Sequence, residues 1–211
     1  MQPATDPSAA PALDEAAPGA ATRKRPRPGE RRVQVLQVLA QMLEQPGAER
    51  VTTAALAARL EVSEAALYRH FASKAQMFEG LIDFIESTVF GLINQINERE
   101  ADGRARAARI VAMVLQFGEK NPGMTRVMVG DALVFEHERL QQRMNQLFDK
   151  LEAALRQCLR DGAPAADAGT LTPDADAQLT AFVVGRLQRF ARSGFRRAPS
   201  ELLDACLVRM L

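Results

Sequence analysis

Beyond residue 29 the apolar positions of this chain recur at steps of three and four, the period of helices buried along one side. Val33, Leu36, Leu39, Ala40 and Leu43 line one face of a predicted helix over 30–44, and Pro46 and Gly47 stop it. The next stretch, RVTTAALAARLEVSEAALYRHF, keeps the helical period but carries two capping signals close together. Thr52 or Thr53 can cap a short helix with Leu56, Ala57 and Leu60 inward. Ser63 can cap a second one, whose Ala66, Leu67 and Phe71 continue the core. One continuous helix cannot hold both caps, so Glu61 and Val62 form the connection, at the spacing of a helix-turn-helix. A short second helix with an uncovered N-terminal end has the geometry that enters a major groove.

After Lys74 the apolar stripes lengthen. Met77, Phe78, Leu81, Ile82, Ile85, Val89, Leu92, Ile93 and Ile96 predict a helix over 74–97. Ile110, Val111, Val114, Leu115 and Phe117 predict another over 103–119, interrupted by Asn121, Pro122 and Gly123. A long helix over 131–161 places Leu140, Met144, Leu147, Leu151, Ala154 and Cys158 on a bundle seam, and 162–172 reads as a loop. Two last helices, over 173–193 and 199–210, carry Leu179, Phe182, Val183, Leu187 and Phe190, with Ala181 and Gly185 small enough for close approach. Such a pair suits a two-fold four-helix interface between protomers, the plain alternative being an intramolecular core. The expected fold class is therefore all-α. Residues 1–29 form a Pro- and Ala-rich leader without periodicity, expected to be disordered; 30–74 form the helix-turn-helix unit, and 75–211 a larger helical unit.

Composition sharpens this picture in one respect. A net charge of +1 hides an asymmetry: from Arg23 to Lys74 there are ten Lys and Arg against five Glu, and RKRPRPGERR alone holds six of those cations. A basic region beside a small helical module is what phosphate binding needs, whereas a global excess reports only on solubility. The leader has no apolar run of the kind a secretory signal requires, and no stretch approaches the roughly 18 apolar residues of a membrane span. Cys158 and Cys206 lie outside any CxxC spacing and, with two histidines, supply no metal-ligand set. The expectation is a cytoplasmic protein without metal or cofactor.

The densest chemistry lies in VSEAALYRHFASK, from Val62 to Lys74. His70 has no recognisable nucleophile or acid partner, and no Gly-rich phosphate loop exists, so the sequence offers no catalytic constellation. Phosphate contact explains more. Tyr68, Arg69 and His70 spread polar tips along the rim of a helix while Leu67 and Phe71 point inward, and Lys74 stands at the start of the next helix. Ser63, Glu64 and Ala65 open the helix and can reach base edges: Glu64 as an acceptor for a cytosine amino group, Ala65 against a thymine methyl. Arg31 and Arg32 end a basic arm that can follow DNA phosphates, and Thr53 is counted with Thr52 among the expected DNA contacts. The plainer reading is that Ser63 only caps, Glu64 only complements the helix dipole and Tyr68 only packs.

The order T-x-x-x-L-A-x-x-x-x-V-S-x-x-x-L-Y-x-H-F-x-S-K, ending at Lys74, resembles the DNA-binding domain of TetR-type regulators. Glu61 departs from it, since that family commonly has Gly in the turn. The runs FGEKNPGMTRVMVGDALVFEHERLQQRMNQLFDKLEAALRQCLR and RFARSGF extend the likeness, and it is then to the nucleoid occlusion factors within that family. The resemblance implies dimers on palindromic chromosomal DNA that engage the C-terminal tail of the tubulin-like protein FtsZ and antagonise its polymers over the nucleoid. It further implies that Thr52 anchors DNA and that Phe84, Lys120 and Asn121 face FtsZ. Leu92 stands where those factors carry Arg. The plain alternatives are core packing for Phe84 and a helix C-cap for Lys120 and Asn121. For the whole chain, the alternative is a transcriptional repressor released by a small molecule held among the fourth to seventh helices.

Overall fold

Side chains at four helix starts set the punctuation of the chain. The hydroxyls of Thr52, Ser63 and Ser73 and the carboxylate of Asp102 each accept a hydrogen bond from the backbone amide three residues on, at 3.2, 3.3, 3.2 and 2.6 Å. Each bonds one of the first-turn amides that a helix leaves without an i−4 carbonyl. The computed structural model describes residues 29–45, 51–161 and 174–211. The expectations for the leader with its cations from Arg23 to Arg27, for Pro46 and Gly47, and for the 162–172 loop fall outside these residues.

Every regular element among the described residues is helical, as the periodicity predicts. The order is α1 (Glu30–Leu43), α2 (Thr53–Arg59), α3 (Glu64–Tyr68), α4 (Lys74–Arg99), α5 (Gly103–Lys120) and α6 (Pro122–Met128). A 3-10 turn (Asp131–Leu133), α7 (Glu138–Asp161), α8 (Ala175–Arg192) and α9 (Leu203–Met210) follow. One hydrophobic cluster runs without a break from Val35 on α1 to Leu207 on α9. The turn between α2 and α3 passes through Glu61 at φ 54°, in the left-handed region that favours glycine.

Four predicted details change. Leu39, Ala40 and Leu43 are buried as predicted and Leu36 half-buried, but at the start of α1 Val33 is 55% exposed and Val35 takes its place in the core. α6 lies across α1, and a Cβ on Gly123 would stand 2.0 Å from the Ala40 carbonyl oxygen. Second, Asn121, Pro122 and Gly123 do not merely interrupt; Pro122 opens α6, where its missing N–H costs nothing. Third, the predicted 131–161 helix is split, and α7 begins only at Glu138, where His137 Nδ1 accepts from the Arg139 amide at 3.2 Å. Fourth, α9 starts at Leu203, after a left-handed Leu202 at φ 52°.

The stripe of α4 follows its prediction: Met77, Phe78, Leu81, Ile82, Ile85, Val89 and Ile93 are buried. Its flank is held to α7 by ion pairs between Glu79 and Arg139 at 2.8 Å, Asp83 and Arg143 at 2.8 Å, and Glu86 with both Arg143 and Lys150. Cys158 belongs to the core of α7, where burial pushes its thiol pKa up and leaves it inert.

Candidate nucleic-acid interface

Thr52 and Thr53 divide two tasks between identical side chains. Thr52 takes the cap of α2, which leaves the Thr53 hydroxyl to donate across the turn to Glu64 Oε2 at 2.7 Å. That bond ties the head of α2 to the head of α3, so Thr52, Thr53, Ser63, Glu64 and Ala65 come together at one end of the helix pair. Tyr68, 45% exposed, and Arg69 continue outward from it, and Arg69 has no ion-pair partner among the described residues. The helix itself is shorter than the predicted stretch to His70: it ends at Tyr68, and the amides of His70 and Phe71 both turn back to the Leu67 carbonyl.

Three predicted phosphate contacts have partners within the protein. Arg32 donates to the His70 carbonyl and lays its guanidinium 4.3 Å from the centre of the Phe71 ring, clamping α1 to the end of α3. Arg31 donates to Gln34 on its own helix at 2.8 Å. Lys74 forms an ion pair with Glu136, in the segment before α7, and lies 5.7 Å from the Phe78 ring centre. Sequence reasoning had no signal for Glu136, which is 62 residues away.

The second group of predicted residues lies around α4 and α5, consecutive helices that pack together. Phe84 is 47% exposed on α4 and is therefore no core residue. Lys120 ends α5 in the open, without an ion-pair partner among the described residues. Asn121 is half-buried, and its side-chain amide donates to the Phe117 carbonyl at 2.7 Å, which is the work of a C-cap. Leu92 is half-buried on the same helix as Phe84.

A third surface lies on the last two helices, the pair expected to meet a second protomer. Leu202 and Val208 project into solvent, and an open groove between α8 and α9 is lined by Ala181, Phe182, Gly185, Arg186 and Cys206. Among the described residues no His, Cys, Asp and Glu group could hold a metal ion, and no helix is long and apolar enough to cross a membrane.

Residues 35–81 match the family of bacterial regulatory proteins called tetR, and residues 102–208 match the SlmA-like, tetracyclin repressor-like C-terminal domain. The nucleoid occlusion factor SlmA of Photobacterium profundum is 50% identical over 177 residues, covering 82% of this chain and 90% of its own length. Its counterpart from Citrobacter koseri is 51% identical over 178 residues, covering 83% and 90%. The chain belongs to the SlmA family of nucleoid occlusion factors. Within that family it is a helix-turn-helix, DNA-binding regulator of the TetR type. The fold is shared more widely. The TetR-family regulator PfmR of Thermus thermophilus superposes with a TM-score of 0.68 at 22% identity, covering 84% of this chain and 97% of its own. The fatty acid degradation regulator FadR of Bacillus halodurans gives 0.67 at 13%, covering 88% and 96%. At such identities only the architecture is common, whereas the likeness to SlmA proteins runs through both parts of the chain.

Proposed function

We propose that this protein acts over the nucleoid as a DNA-activated antagonist of FtsZ. Residues 30–74 read palindromic chromosomal sites, with Thr52, Ser63, Glu64, Ala65, Tyr68 and Arg69 as the contacting side chains. Residues 75–211 dimerise and engage the FtsZ C-terminal tail, so that septum assembly is blocked where chromosomal sites are occupied. The observation that carries this reading is the reach of the relatedness: about half the residues are identical to SlmA proteins through the C-terminal region as well as the DNA-binding head.

The geometry supports each part. An exposed Phe84 and the free Lys120 offer an aromatic anchor and a cation, the pair that suits a peptide with apolar and acidic residues. Small Ala181 and Gly185 on α8, with exposed Leu202 just before α9 and Val208 on it, supply an apolar surface for the two-fold pairing of the last two helices.

The test is fluorescence anisotropy of a labelled FtsZ C-terminal tail peptide, titrated with the protein in the presence of a DNA fragment the protein itself selects. Tight binding is expected only with that fragment. Phe84→Ala and Lys120→Ala should each weaken it about tenfold, a typical cost for an interface anchor, while DNA affinity stays unchanged. Binding that ignores both DNA and these substitutions would sink the proposal and favour a repressor released by a small molecule.

A further inference from the structure

Glu64 is an unusual side chain for the head of a DNA-reading helix. Phosphates repel a carboxylate, and it is tolerated against a groove only where it accepts a hydrogen bond from a base amino group; the major groove offers adenine N6 and cytosine N4, and because the adenine amino lies beside the N7 acceptor, which repels a carboxylate, cytosine is the better partner. A glutamate has three side-chain torsions, and on an exposed five-residue helix nothing in α3 itself holds them. What holds them is Thr53, whose hydroxyl donates to Oε2 at 2.7 Å from eleven residues upstream. Hydroxyls at helix starts ordinarily bond the local backbone. Here Thr52 has already taken the α2 cap, so Thr53 is released to reach across the turn. Glu64 has no other hydrogen bond or ion pair among the described residues, so Oε1 keeps its acceptor capacity for a ligand.

We propose that Thr53 is the positioning residue for base reading: its hydroxyl fixes Glu64 so that Oε1 accepts from a cytosine amino group at one position of each half-site. This rests on the DNA-binding reading above. Thr53 itself need not touch DNA, and its effect is on which sequence is bound more than on how tightly DNA is held.

The experiment is selection of binding sites from randomised duplexes by the full-length protein and by three variants, followed by affinity measurements on the selected site and its single-base replacements. The parent should favour cytosine at one position per half-site. Glu64→Gln should move that preference to adenine, whose N6 and N7 match an amide. Thr53→Val should keep the fold and dimer but lose about tenfold of the discrimination at that position, since a good base contact is worth that much. Thr53→Ser, which restores the hydroxyl, should regain it. A uniform loss of affinity in Thr53→Val with every base preference intact would overturn the inference and make Thr53 a phosphate contact or a structural tie. An unchanged preference in Glu64→Gln would overturn it even if Thr53→Val failed to fold. Enrichment of no sequence by the parent would overturn the DNA-binding reading along with it.

Discussion

Arg32 shows how a residue's charge can mislead about its duty. It ends a basic arm and reads as a phosphate contact, yet its guanidinium donates to the His70 carbonyl and stacks on Phe71, joining the start of α1 to the end of α3. The two contacts together are worth about 1–3 kcal/mol. Arg32→Ala is therefore expected to lower stability by that amount in urea denaturation, while the slope of log affinity against log salt for DNA stays that of the parent. A residue neutralising a phosphate would instead reduce the slope by about one on removal. The caps by Thr52 and Ser63 were legible from the sequence because a cap acts on an amide three residues away. The partners of Arg32 and Lys74, His70 and Glu136, were not legible because the fold brings them from 38 and 62 residues away, whereas the Asn121 bond to Phe117 is the local C-cap that the sequence offered as the plain alternative.

At the scale of elements, α4 connects the reading head to the rest of the chain, and its fixed flank is the ion-pair ladder to α7. Glu86 is the centre of that ladder. Partial burial alone would push its carboxyl pKa up, but the Lys150 and Arg143 hydrogen bonds and charges outweigh this and hold it below the ordinary carboxylate range. A carboxyl depressed in the folded state contributes stability above its unfolded pKa, and the contribution is lost as pH falls through the folded value. Glu86→Gln should thus be less stable than the parent at neutral pH, with the gap closing as the pH drops below the carboxylate range; thermal melts across that range check it. A gap independent of pH would mean that Glu86 acts through packing alone. The stripes of α4 and α7 could be read from the sequence since their period is sustained over many turns. On α1 the period predicts Leu39, Ala40 and Leu43 but not the exchange of Val33 for Val35, and the close approach of Gly123 to the Ala40 backbone is encoded by no local pattern. Pro122 was read as a stop because a proline before a helix and one after it look alike until the flanking packing is known.

For the whole molecule, an unbroken core from α1 to α9 means that the DNA-reading head and the larger helical body are one mechanical unit. The Lys74–Glu136 pair and the α1–α6 contact cross between them. Under the proposed function, contacts of this kind would carry the effect of DNA at α3 to the surface around Phe84 and Lys120. Whether DNA-bound protein dismantles FtsZ assemblies is read out by sedimenting GTP-assembled FtsZ with the protein and either a selected palindromic fragment or a scrambled one of equal length. Polymer is expected to leave the pellet only with the selected fragment, and Phe84→Ala is expected to restore it while still binding that DNA. Polymer that stays in the pellet although the selected DNA is fully bound would refute DNA-activated antagonism of FtsZ.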